Sequence, residues 1–259
     1  MSYIHKIFSE ISRRIYSPTF FFFLYLQKNL LPILDKKCID LSDGKIVKRL
    51  KSHFFSYELN VSMGDPECPI VSKFFQDILG DLEQVELLQK VLGSWIIPSI
   101  ETVKSTLKHL VIFYGVGNNG ASTIMRLLRT GLFSNESFKD NEHFNLFQVQ
   151  IFDHPDRFDC ISLSRNSKYN VSPLKKSDCL RVVLITDQNP DNFINNNNIF
   201  DIVTVFNLEN TFVDNPTFTN EKKKDPLFIE TLFDPENKHL SDIFAWMVKG
   251  SQMFVEKGF

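Results

Sequence analysis

Residues 111–128, VIFYGVGNNGASTIMRLL, constrain this chain more than any other stretch. An apolar run of strand character ends in Gly115, Gly117 and Gly120, and a run with helical spacing follows at once. A strand that feeds a helix through a glycine turn belongs to a sheet whose strands are joined by crossovers. Further strand-like runs follow at LFQVQIFD (146–153), LRVVLITD (180–187) and FDIVTVF (200–206). Strands alternating with helical or loop segments imply an α/β fold with a mostly parallel sheet.

The rest of the chain divides around that unit. A helix is expected from Pro69, which suits a first helical turn, with apolar Ile70, Val71, Phe74, Phe75, Ile78 and Leu79 on one face and Gly80 as its stop. A second helix runs from about Leu82 to Leu92 and ends at Gly93, a third from Ser122 to Thr130, and a last from Leu240 to Glu256. The reading gives an N-terminal extension (1–66), a helical lead-in (67–108) and a core with its closing helix (109–259). Ahead of the core the chain reads as mainly helical, with the basic stretch KIVKRLKSHFF (45–55) as a solvated helix face.

The 259 residues carry 26 Phe and a net charge of −2, so no global basic field draws the chain to nucleic acid. Cys38, Cys68, Cys160 and Cys179 form no CxxC pair and lack histidines at ligand spacing, which argues against zinc and for a reducing compartment. TFFFFLYL (19–26) falls short of the roughly 20 apolar residues a spanning helix needs, so no membrane segment is expected. NEKKKD (220–225) reads as a solvated loop.

The glycine turn fits two phosphate-binding patterns. Gly115, Gly117 and Gly120 spell the dinucleotide fingerprint GxGxxG, and the same residues spell GxxxxG ahead of Ala121-Ser122, the triphosphate loop with Ala where Lys belongs. A dinucleotide site wants an acid about 20 residues on, at the end of the next strand. Here that strand ends at Asp153, well beyond that interval, while Asp140 and Glu142 sit in a polar loop. The spacing favours the triphosphate loop, with Asp153 on a magnesium strand. A glycine turn with no ligand is the alternative.

With these residues in view, GDPECPIVSKFFQDILGDLEQVELLQKVLGSWI (64–96) followed by LVIFYGVGNNGAST (110–123) resembles the superfamily 3 helicase module of poxvirus-type primase–helicases. Later segments extend the resemblance: VVLITDQNP (182–190) against a strand followed by Thr-Asn-x-x-Pro, then TFVDNP (211–216), KKKDPLFIETL (222–232) and IFAWMVKGSQMFVEKG (243–258). The resemblance spans about residues 65 to 257. It implies a P-loop core of the AAA+-like kind that binds ATP and Mg and forms homo-oligomeric or mixed rings with helicase-like subunits. It also implies work beside other replication proteins, in a viral factory of the host cytoplasm or in a particle.

That implication assigns nucleotide contacts to Gly115, Gly117, Asn118, Asn119, Gly120, Ala121, Ser122 and Thr123, and magnesium to Ser122 and Asp153. Catalytic motif positions fall on Asp153 and Asp187. The basic loop SLSRNSKYNVSPLKKSD, with Arg165, Lys168, Tyr169, Lys175 and Lys176, falls where the family touches single-stranded DNA.

The departures are concentrated at the reacting centre. Ala121 removes the cation that meets the β/γ-phosphates, and Asp187 puts a negative charge where the family has a neutral Asn. His154 stands where a second acid belongs, and no arginine follows Arg181 to serve as the finger. An arginine finger accounts for about 10³ to 10⁵ in rate, or about 4 to 7 kcal/mol of barrier. One substitution could be compensated, for example by Lys104 or Lys108 folding over the site, but three losses at one centre argue against it. The expectation is a module impaired in hydrolysis that serves as a structural or regulatory partner. The alternatives are an active subunit of a mixed ring, and a single-strand-binding or virion protein that ignores nucleotide.

Overall fold

The computed structural model describes residues 30–53, 59, 61–97, 108–128, 149–152, 181–194, 200–234 and 239–259. The first of these form an antiparallel sheet of β1 (Leu30–Ile33), β2 (Lys37–Asp40) and β3 (Ile46–Lys48), in that order. Leu31, Ile33, Cys38 and Ile39 are buried. The basic stretch read as a helix face is therefore a strand and a short 3-10 turn (Lys51–His53) over its described part. The reason is local: Ile46 and Val47 are β-branched, and the turn at Asp43-Gly44 returns the chain alongside β2.

Two helices come next. α1 (Pro69–Leu79) has Pro at its start and stops at Gly80, whose φ of 74° lets its N–H donate back to the Gln76 carbonyl (2.8 Å). α2 (Leu82–Ile96) starts at Asp81, whose carboxylate accepts from the Glu83 N–H (3.0 Å), and it runs through Gly93 instead of ending there. Gly93 is held in the helix because another backbone lies against it: a Cβ there would come 2.7 Å from the Met247 carbonyl oxygen.

The central sheet is four parallel strands in the order β5-β6-β4-β7. They are β4 (His109–Tyr114), β5 (Val149–Phe152), β6 (Arg181–Thr186) and β7 (Ile202–Asn207), with α3 (Ala121–Arg126) after β4 and α4 (Asp191–Ile194) between β6 and β7. The chain leaves β4 for the far edge at β5, returns to β6 beside β4, then crosses to β7 on the other side. Both faces of β4 are covered, so its apolar run is unbroken. Val111 and Phe113 join the main core with α1, α2 and the last helix, while Leu110 and Ile112 meet Val182, Leu184 and Phe193 on the opposite face.

A small parallel ribbon, β8 (Thr211–Val213) with β9 (Glu221–Lys223), leads through α5 (Phe228–Phe233) to α6 (His239–Lys257). α6 packs along α2, where the buried Gln89 amide donates to the Trp246 carbonyl (2.9 Å). No helix among the described residues is long and apolar enough to cross a membrane.

Candidate functional site: the glycine turn after β4

The carboxyl ends of three strands meet at the glycine turn. Tyr114 lies in register with Thr186 of β6 and Asn207 of β7. The Gly115 N–H donates to the Thr186 carbonyl (3.1 Å), and the Leu208 N–H donates to the Tyr114 carbonyl (2.7 Å). The turn thus sits in the crevice outside the carboxyl ends of a parallel sheet, where such sheets hold their ligands.

Each glycine has its own reason. A Cβ at Gly115 would lie 2.7 Å from the Leu208 carbonyl oxygen. Gly117 has open space around it but a φ of 88°, and Gly120 has both a φ of 84° and the Ile78 side chain 2.8 Å from a would-be Cβ. Asn119 braces the turn from inside. It is 2% exposed, its carboxamide oxygen accepts from the Ala121 N–H (3.1 Å), and its Nδ2 has no partner among the described residues. The ribbon braces the turn from outside: the Phe212 N–H donates to the Asn118 carbonyl (2.7 Å), and the Phe212 ring lies over Gly120.

What faces solvent is a row of donors. Val116, Gly117, Asn118 and Ser122 are exposed. Among the described residues, the N–H groups of Gly117, Asn118, Gly120 and Ser122 meet no acceptor. The Asn119 N–H is taken by the Gly117 carbonyl (2.9 Å) and the Ala121 N–H by the Asn119 side chain, so the consecutive open donors are those of Gly117 and Asn118, and a pair of adjacent open N–H groups at a glycine turn suits an anion. Thr123 is half-buried, and its N–H is taken by the Gly120 carbonyl (2.9 Å). Ala121 packs its methyl partly against the core and offers no charge.

The second loop at this end carries Asp187. Thr186 is buried, and its hydroxyl accepts from the Gln188 N–H (3.0 Å), which turns Asp187 and Gln188 out into solvent one residue past the strand end that Gly115 is tied to. The structure therefore brings Gly115 to Thr123 and Asp187 to one end of the sheet. Asp153, His154, Arg165, Lys168, Tyr169, Lys175 and Lys176 lie outside the described residues, as does Lys104.

Lys108 does not fill the place of the missing cation. Its N–H donates to the Asp201 carboxylate (2.8 Å) at the amino end of β4, so the six-residue strand, about 20 Å at about 3.3 Å per residue, separates it from the turn. Arg181 is at that same far end: it is buried and donates to the Trp95 carbonyl (2.6 Å), and beside it the His109 ring shares a hydrogen bond with Thr204 Oγ1 (2.9 Å). Burial and the Arg181 charge push the His109 imidazole down to about 4, so it is neutral at physiological pH.

Sequence reasoning missed Asn119 as an internal brace and Asn210 and Phe212 as the ribbon's anchors; the Asn210 amide donates to the Asp77 carbonyl (2.8 Å) at the end of α1. The segment TFVDNP was visible as a motif, but nothing in its composition says that it docks on a turn far back in the chain. Among the described residues no group of three or more His, Cys, Asp or Glu is placed to hold a metal ion. Cys38 and Cys68 are buried, and burial drives the Cys68 thiol up to about 12, which makes it unreactive. No protein-family model matches the chain, and no curated protein matches it in sequence.

Proposed function

We propose that this chain is a degenerate relative of the viral superfamily 3 helicase modules, with a phosphate-loop core that has lost efficient ATP hydrolysis and acts as a structural or regulatory partner in viral DNA replication or assembly. One observation carries the reading. A glycine turn with unpartnered N–H groups closes the interior strand of a parallel sheet at its carboxyl end, yet the first residue of the following helix is Ala121 and the neighbouring loop presents Asp187. The strand order β5-β6-β4-β7 supports it, since it sets the Asp187 strand directly beside the glycine-turn strand.

The residues present fit half of a nucleotide site. The backbone donors suit phosphate oxygens, and Ser122, exposed at the start of α3, offers a hydroxyl that would face a magnesium ion held by the phosphates. The cation that stabilises charge developing on the terminal phosphate is missing, and Asp187 adds charge of the wrong sign. Lys108 and Arg181, at the opposite end of the sheet, do not compensate.

The test is calorimetry of magnesium-ATP on the wild-type protein and on Ala121→Lys, with ATPase assays on single-stranded DNA alongside. The reading expects weak or silent binding by the wild type, clear binding by the variant, and negligible turnover. Turnover at a helicase-like rate by the wild type alone, or no binding by a folded Ala121→Lys, would refute it.

A further inference from the structure

The β8–β9 ribbon carries a feature that the glycine turn does not explain. Phe218, in the connection between the two strands, is 71% exposed, the most of any large apolar side chain among the described residues. Its turn is tightly built. The Glu221 carboxylate accepts from the Thr217 N–H (2.6 Å), the Thr217 hydroxyl (3.0 Å) and the Phe218 N–H (3.0 Å), and the Glu221 N–H donates back to the Phe218 carbonyl (3.1 Å). These bonds hold the Glu221 carboxyl below the usual carboxylate range, so the clamp is charged and closed at neutral pH. The chain thus spends four hydrogen bonds on holding an aromatic ring out in water.

Directly after the clamp come Lys222, Lys223 and Lys224, with Lys223 and Lys224 exposed and Lys222 half-buried. None of the three forms an ion pair among the described residues. Of the nearby acids, Glu221 is turned onto the clamp and Asp225 onto the Leu227 N–H (3.0 Å), while Asp214 is exposed at the far end of the connection. The unengaged charges next to Phe218 are therefore cationic.

We propose that this ribbon binds single-stranded nucleic acid, with Phe218 stacking on a base and Lys222, Lys223 and Lys224 meeting backbone phosphates. A rigidly presented ring beside several free cations is the pairing that single-strand binders use, because every base has a face to stack and every nucleotide a phosphate to meet. A duplex hides its base faces and offers only phosphates. An acidic protein segment would use the lysines but would have no need of the ring. The site is separate from the glycine turn, so it stands or falls independently of nucleotide binding there.

The experiment is fluorescence anisotropy of a labelled oligo-dT and of a labelled duplex of equal length, titrated with the full chain over a range of salt. Phe218→Ala, the triple variant Lys222→Ala/Lys223→Ala/Lys224→Ala, and Glu221→Gln are compared with wild type after circular dichroism confirms folding. The expected result is salt-dependent binding of oligo-dT in preference to duplex. Phe218→Ala weakens it about fivefold or more with an unchanged salt slope. The triple variant lowers the slope of log affinity against log salt by about 2, at about 0.7 per phosphate contact. Glu221→Gln weakens binding while leaving that slope in place. Equal binding of duplex, a neutral Phe218→Ala, or wild-type affinity in the triple variant each overturns the proposal; a neutral Phe218→Ala with a sensitive triple variant identifies a general polyanion patch instead.

Discussion

Gly250→Ala tests the packing that holds the helical layer together. Gly250 lies on α6 where it crosses α2, and an added Cβ would sit 2.7 Å from the Gln89 carbonyl carbon and 3.0 Å from Gln89 Cγ, with the Gln89 carbonyl oxygen closer still. Carbon atoms at rest stand about 3.5 to 4 Å apart, so the helices must separate by about 1 Å. The obstacle is α2 backbone, which cannot rotate away as a side-chain tip would. Separation of that size forfeits a quarter to a half of each dispersion contact across the seam, where Leu88, Leu92, Phe244 and Met247 are buried. Overpacking of this kind costs about 1 to 3 kcal/mol, and here the upper part of that range applies. Ala gains about 1 kcal/mol over Gly in helix propensity, which leaves a net loss of about 2 kcal/mol. The assay is urea denaturation followed by circular dichroism, reading the midpoint at constant slope. Gly93→Ala faces the same seam, meeting Ser251 and Gly250 backbone, so the double variant should lose less than the sum of the two singles. A Gly250→Ala protein as stable as wild type, or a strictly additive double variant, would refute the reasoning.

Two further outcomes follow from the same geometry. His109 is nearly fully buried and its folded pKa is about 4, against 6.5 for a free imidazole, so below pH 6.5 the unfolded chain takes up a proton that the folded chain refuses. Stability then falls as pH drops from 6.5 towards 4, by about 2 to 3 kcal/mol between pH 7 and 4.5 at about 1.4 kcal/mol per unit, and His109→Gln should remove that component from the pH profile of the denaturation midpoint. Asn119→Ala deletes the bond to the Ala121 N–H and should cost about 1 kcal/mol, whereas Asn119→Asp buries a carboxylate beside the turn and should cost more, increasingly so as pH rises above the ordinary Asp value of about 4; thermal melts at pH 5 and pH 7 separate the two variants.

Much of the site's local form was legible in the residues. The glycine spacing reads directly as two positive-φ positions and one close approach, because those demands act on the backbone within a few residues. The start of α1 at Pro69, its stop at Gly80, and the unbroken apolar run of β4 are local in the same sense. Other expectations failed where local and distant forces compete. The cations of 45–55 suggested a helix face, but the exposed edge of β2 recruits Ile46 and Val47 into a strand. Gly93 suggested a helix stop, but α6 backbone fills the space its missing side chain leaves. Lys108 lies close to the turn in sequence and a strand's length from it in space.

The sequence by itself determined the strand–turn–helix unit and the absence of a lysine at its pivot, since sterics and hydrophobic period act within a window of residues. Only the tertiary structure decided that β6 enters between β4 and β5, that Asp187 thereby stands beside Gly115, and that Phe212 of the ribbon is tied to Asn118. Those pairings join residues far apart in the chain, and their partners are chosen by which arrangement buries both faces of the sheet and leaves the fewest backbone groups unbonded, a choice made by the whole chain at once.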